Sequence, residues 1–227
     1  MKVSMKDLFF PRCCPLCGHV VEDNAVFCED CIRNLPRTEQ AFLRSNMTEA
    51  LFAHEDKFIR GAAFLFFEKQ APIQGTLHKM KYGLFADPYI GYALACEAAA
   101  EFMQSDFFDG IDVLLPVPLH PKRLRERGFN QAEWICMGLS EVTGIPMDTT
   151  HLIRVLNNAH QAQTAGIKRT ENVKNIFAVT HPEELYKKHV LLVDDIITTG
   201  ATLQACMKVL SPIRKCYFSV FGIGKTR

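Results

Sequence analysis

The chain has 227 residues, 48% of them apolar and 22% charged, with a formal net charge of +1. That balance excludes a disordered chain and leaves room for one α/β core with a small appended module. So small a net charge supplies no long-range pull toward nucleic acid or anionic lipid, and any such contact needs a local patch.

The first residues, Met1 to Pro11, carry Asp7 where a secretory leader needs an apolar run, and no stretch has the length to span a bilayer. A cytoplasmic protein with no membrane span is expected. Next comes "CPLCGHVVEDNAVFCEDC", in which Cys14, Cys17, Cys28 and Cys31 form two C-x2-C pairs. Each pair is expected to turn tightly and aim two thiolates at one ion, so that together they make a closed tetrahedral Zn²⁺ site. A disulfide or redox pair is the competing reading.

Residues 1–36 therefore read as a compact zinc-ribbon module, too poor in large apolar side chains to fold without its metal. With all four ligands supplied by protein, this zinc is structural and not catalytic. Cys13 stands beside the pattern as an alternative ligand, and His19 reads as a surface residue. Cys96, Cys136, Cys206 and Cys216 are scattered singly through apolar stretches and read as small buried hydrophobes.

Residues 37–57 have mixed character and read as a connector with one helical stretch. "FIRGAAFLFFE" from Phe58 is apolar and aromatic, as a strand should be. "IQGTLHKMKYG", Ile73 to Gly83, has the form of a short helix closed by glycine. Asp87-Pro88 supplies an N-cap and a first-turn proline for a helix with Ile90, Leu94 and Phe102 on one face.

"IDVLLPVPL", Ile111 to Leu119, is a short strand running into a proline-stiffened loop, and a helix from Asn130 ends at Gly144. "HVLLVDDII" is a buried strand, "TLQACMKVL" a helix, and Cys216 to Ile223 the last strand. Apolar runs alternating with helices specify an α/β domain over residues 58–227, with a mostly parallel sheet flanked by helices.

"VLLVDDIITTGAT", Val190 to Thr202, carries the most chemistry. Four apolar residues suit a buried strand, and in parallel sheets ligands sit beyond the carboxyl ends of the strands. Asp194 and Asp195 are expected where the strand Val190 to Val193 gives out. Thr198, Thr199, Gly200, Ala201 and Thr202 then form a loop whose N–H groups converge on an anion at a helix N-terminus. Two acceptors beside a phosphate cradle suit a ribose 5-phosphate; alternatively, the two acids cap the next helix.

The thirteen residues of that stretch resemble the phosphoribosyl pyrophosphate (PRPP) signature of type I phosphoribosyltransferases. Taken with "CPLC" and "CEDC", "LHKMKYG" (Leu77 to Gly83), "PVPLHPKRLRERGFNQA" (Pro116 to Ala132) and "KRTENVKNIF" (Lys168 to Phe177), the order of motifs resembles the ComF family. These are zinc-ribbon, phosphoribosyltransferase-like proteins linked to bacterial competence and DNA utilisation. Two places depart from the family pattern: Asn158 to Thr164 replaces Thr-x-x-Gln-x-x-Leu, and the chain ends Gly-Ile-Gly-Lys-Thr-Arg instead of in a more apolar strand.

The resemblance implies that Asp194 and Asp195 hold the ribose hydroxyls, directly or through Mg²⁺, and are the catalytic acids. Thr198 to Thr202 would hold the 5-phosphate. Arg123 and Arg127, with Lys122 and Arg125 beside them, would meet the pyrophosphate, as would Lys168 and Arg169 on a mobile loop that also carries Lys174. Cleavage at the anomeric carbon would build positive charge on the ribose near Asp195 while pyrophosphate departs with Mg²⁺. The acceptor is not readable.

Read without the resemblance, the basic cluster is equally a solvated helix face or a nucleic-acid patch. Two function classes follow: a PRPP-dependent transferase, or a non-catalytic PRPP-sensing module that binds single-stranded DNA or a DNA-processing partner. His78 and His120 each sit near a motif but read as ordinary hydrogen-bonded residues.

Overall fold

A computed structural model of the protein describes residues 12–21, 25–67, 87–155 and 176–227. Its central sheet has four strands in the order β1-β6-β5-β2, all parallel. These are β1 (Phe58–Phe67), β2 (Val113–Pro116), β5 (His189–Ile197) and β6 (Tyr217–Thr226). Two three-residue strands, β3 (Leu152–Arg154) and β4 (Phe177–Val179), form a separate antiparallel ladder.

Five helices accompany them in the described residues: α1 (Glu29–Arg33), α2 (Pro88–Phe102), α3 (Pro121–Arg127), α4 (Gln131–Thr143) and α5 (Ala201–Leu210). The sheet is apolar on both faces, and the period of two sorts its side chains. Leu191 and Val193 of β5 enter one core with α2 and α4, while Val190 and Leu192 enter the other with α5. An apolar strand followed by a helix on each side is what the alternation in the sequence specified.

The helix signals act where they stand. Asp87 accepts the Tyr89 N–H at 2.9 Å ahead of Pro88. Asn130 accepts from Ala132 N–H, and its own amide donates to the Val117 carbonyl at 3.1 Å, tying the start of α4 to the end of β2. Gly144 ends α4 at φ +74. The closest helix contact is α2 on α4, where a Cβ on Gly138 would stand 2.4 Å from the Tyr92 carbonyl oxygen.

Residues 37–57 lie against β1 and carry two 3-10 turns, Gln40–Phe42 and Glu49–Leu51. Thr38, Gln40, Asn46 and Thr48 are buried polar residues joined by hydrogen bonds: Asn46 donates to Gly61 O at 2.8 Å, and Gln40 Oε1 accepts from Ala63 N–H at 3.0 Å. These bonds satisfy β1 backbone on the edge that has no partner strand among the described residues. Phe52 is fully buried from this segment beneath α5.

The helix expected over 73–83, with His78, lies outside the described residues, as do Lys168, Arg169 and Lys174. Among the described residues no helix is long and apolar enough to cross a membrane.

Candidate functional site

Four sulfur atoms meet at the N-terminal end. The ligand atoms of Cys14, Cys17, Cys28 and Cys31 all lie within 4.8 Å of one another, with Cys17 and Cys28 Sγ 3.6 Å apart. Four thiolates around one Zn²⁺ would stand about 3.8 Å apart, given Zn–S bonds of about 2.3 Å, so the donor set and its spacing fit such an ion. The first pair turns as expected: Gly18 N–H donates to the Cys14 carbonyl at 2.8 Å, with Gly18 at φ +78. The second pair is built differently, with Cys28 as N-cap of α1 and Cys31 within the helix.

Their protons are unevenly held. Burial opposes ionising Cys14, but the N–H groups of Cys28, Cys17 and Leu16 outweigh it and lower the thiol to about 6. Cys31 is pushed well up by burial and by the three other sulfurs. Four thiols crowded this closely cannot all ionise unless a cation relieves their repulsion. Cys13 is exposed and stands outside the group. His19 is exposed, as expected.

The second constellation lies at the carboxyl end of the sheet. β2 ends at Pro116 opposite Val193, and Val117 N–H closes that ladder on the Val193 carbonyl at 2.9 Å. β5 does not stop there. Partnered by β6, it runs through Asp194 and Asp195 to Ile197, in register with Gly222, Gly224 and Lys225. The reading of HVLLVDDII as one strand agrees with β5, whereas the expectation that the strand gives out at Val193 is corrected: it is the neighbour β2 that ends there, and the acids lie on β5 beyond its last register pair with β2.

Both acids are partly buried. The N–H of Asp195 donates to Asp194 Oδ1 at 2.8 Å, and that of Ile196 to Asp195 Oδ1 at 2.6 Å. Asp194 faces α5: the buried Cys206 thiol of that helix is raised first by burial and then by the Asp194 charge. Neither acid caps the helix, because the N-cap is Gly200.

Thr198 and Thr199 are exposed, Gly200 is buried, and Ala201 and Thr202 open α5 with their side chains exposed. Gly200 adopts φ +77, where a side chain is strained, and a Cβ there would stand 2.9 Å from Phe52 Cζ. The N-cap Gly200 has no side chain to offer α5, and the Thr199 hydroxyl accepts from Ala201 N–H at 3.4 Å. The stretch thus presents backbone N–H groups and three hydroxyl-bearing residues, Thr198, Thr199 and Thr202, at the positive end of a helix dipole, a few residues past two carboxylates.

The basic cluster after β2 is the helix α3, begun by Pro121 and ended by Gly128 at φ +81. His120 is its N-cap, accepting the Lys122 N–H at 3.1 Å. Lys122, Arg123 and Arg125 are exposed, whereas Arg127 is partly buried and donates to Gln131 Oε1 at 3.2 Å.

Two cations near this end of the sheet escaped the motif reading. Lys225 is only 6% exposed, and its ammonium donates to the carbonyls of Thr198 at 3.3 Å and Thr226 at 2.5 Å. Burial lowers its pKa. Arg154 ends β3 with its guanidinium over the Phe177 ring. A charged residue within an apolar terminal strand was the signal for Lys225; for Arg154, in a short strand paired across a long intervening segment, none was present.

No protein-family model matches the chain. It is 28% identical over 218 residues to competence protein F of Haemophilus influenzae, covering 95% of this chain and 85% of that one. It is 26% identical over 200 residues to the DNA utilization protein YhgH of Salmonella typhimurium, covering 87% of this chain and 77% of the other. With competence protein ComFC of Bacillus subtilis the figures are 29% over 199 residues, 87% and 70%.

Among solved structures, the chain is similar to a glutamine PRPP amidotransferase from B. subtilis, with TM-score 0.40 and 19% identity over 64% of this chain and 30% of that one. It is also similar to a hypoxanthine-guanine phosphoribosyltransferase of L. donovani, with TM-score 0.37 and 14% identity over 60% of this chain and 67% of the other.

Proposed function

We propose that this homologue of the competence proteins F and ComFC and of YhgH binds PRPP as a cytoplasmic, phosphoribosyltransferase-like protein, and that it transfers the phosphoribosyl group with release of pyrophosphate. The observation that carries this reading is the pairing of acids and turn. Asp194 and Asp195 sit where β5 outruns β2, and the start of α5 follows through Gly200 at φ +77.

In this reading the carboxylates take the ribose hydroxyls, and as hard oxygen donors they suit the Mg²⁺ that accompanies a pyrophosphate. Thr198 to Thr202 takes the 5-phosphate through backbone N–H groups and hydroxyls. Arg123 and Arg127 on α3 meet the pyrophosphate, as do Lys168 and Arg169, which lie outside the described residues. Asp195 stabilises the positive charge that grows on the ribose as the bond to pyrophosphate lengthens. Zn²⁺ at the four cysteines holds the N-terminal module together and takes no part in the chemistry.

Calorimetric titration with PRPP and Mg²⁺ tests the reading. Asp194→Asn and Asp195→Asn should each weaken binding about tenfold or more, the scale of a lost charge-assisted hydrogen bond. Equal affinity in wild type and both variants overturns the ribose assignment. Turnover is read as pyrophosphate released from PRPP across a panel of bases and amines.

The exposed Lys122, Arg123 and Arg125 support a second reading, in which α3 contacts single-stranded DNA in a DNA-processing complex. That affinity would fall steeply with salt and weaken when these residues are neutralised. DNA binding that survives their neutralisation refutes it.

A further inference from the structure

Lys225 is the one buried lysine among the described residues. Lysines this deep are rare without a partner of opposite charge, yet burial alone acts on its proton and no described carboxylate offsets it. The ammonium is given to main chain instead. It donates to the carbonyl of Thr226, its own neighbour, and to that of Thr198 at 3.3 Å.

The first of these contacts is local; the second crosses from β6 to the turn that follows β5. Ile197 and Lys225 form the last register pair between the two strands. The lysine therefore grips β5 one residue past the point where the ladder stops holding it.

A trans peptide sets its C=O and the next N–H on opposite sides. Fixing the Thr198 carbonyl toward Lys225 thus turns the Thr199 N–H away from β6. Thr198 and Thr199 are exposed, and no described group accepts the N–H of Thr199 or of Gly200. Lys225 is the described side chain that holds the peptide between Thr198 and Thr199, which without it is free to rotate.

We infer that Lys225 is a positioning residue for the proposed phosphate turn: from the end of β6 it holds the Thr198 carbonyl and so keeps the Thr199 N–H presented to an anion. This rests on the reading above, in which Thr198 to Thr202 take the 5-phosphate.

The test follows the backbone amide resonances of the full-length chain and titrates it separately with ribose 5-phosphate and with magnesium pyrophosphate. Lys225→Met should move the Thr199 amide resonance before any ligand is added. It should weaken ribose 5-phosphate binding about tenfold and leave pyrophosphate within about twofold. Lys225→Arg, which restores charge and donors, should recover most of the loss. Wild-type ribose 5-phosphate affinity in folded Lys225→Met, or equal losses for the two probes, overturns the role.

Should Lys225→Met fail to fold, the wild type decides. Ribose 5-phosphate that moves the Thr199 amide supports the inference, and binding that leaves it in place overturns it. Wild type that binds no ribose 5-phosphate refutes the sugar-phosphate reading. A Thr199 amide that still moves in ligand-free Lys225→Met then keeps the tether, and one that stays overturns it.

Discussion

Replacing Gly200 by alanine should test the turn that the proposed 5-phosphate site depends on. At φ +77 an L side chain is strained, by about 1–2 kcal/mol. The new Cβ would also stand 2.9 Å and 3.0 Å from Cζ and Cε1 of Phe52, a ring that is 0% exposed and has nowhere to swing. Overpacking of that kind costs about 1–3 kcal/mol, and the two effects together give about 2–5 kcal/mol.

For a chain of this size each kcal/mol lowers the thermal midpoint by about 2–4 °C, so a fall of roughly 4–20 °C is expected. Urea unfolding of Gly200→Ala, Phe52→Leu and the double variant separates the contributions. The coupling between the two sites should return the steric part, about 1–3 kcal/mol, and leave the backbone strain in place. A Gly200→Ala protein within about 0.5 kcal/mol of wild type, or a cycle without coupling, refutes the reasoning.

Purified protein should carry about one zinc per chain; a strong chelator should remove it, make the thiols of Cys14, Cys17, Cys28 and Cys31 reactive, and lower the unfolding midpoint. Full stability without metal would contradict that. Gly138→Ala should cost about 1–3 kcal/mol in urea unfolding, because its Cβ would meet the Tyr92 carbonyl at 2.4 Å and Ala95 Cβ at 2.9 Å and force α2 from α4.

The pH dependence should carry a signature of His189, whose Nε2 lies 2.9 Å from Ser219 Oγ and whose pKa burial lowers from 6.5. The unfolded chain then takes up the proton first, so the stability from this group is full above about 6.5 and is lost as pH falls through the lower folded value. His189→Gln should flatten that part of the unfolding profile, and an unchanged slope would refute the assignment.

What was legible in the sequence was what is local in the chain. The first C-x2-C pair, Asp87-Pro88, and Asn130 with Gly144 state their geometry within a few residues, and the structure uses each one, whereas the second pair stated its ligands but not the helix that carries them. The strand His189 to Ile197 was legible as HVLLVDDII, but that Asp194 and Asp195 stay in its ladder was not, because polar residues there look like the end of a strand. What keeps them in the ladder is β6, whose Gly222 lets Ile197 pack where a Cβ would stand 2.7 Å from its Cγ1.

β3 and β4 were missed for a related reason, since three residues carry no period and their pairing spans an intervening stretch of chain. The cations Arg154 and Lys225 owe their positions to that long-range pairing and to the sheet order, which no spacing rule encodes. The basic run at Lys122 to Arg127 was visible as charge. It was read as part of a loop, and the structure makes it the helix α3, bounded by Pro121 and Gly128.

The sheet order also constrains how the molecule can be made. β6 is the last of the described strands to be synthesised, yet it lies between β1 and β5 and pairs with both. Until the ribosome has delivered it, β1 has no parallel neighbour among the described strands and β5 exposes an apolar edge. Nascent chains stalled before Tyr217 should therefore be recruits for chaperones and sensitive to protease, and assembly should wait on contacts of very long sequence separation.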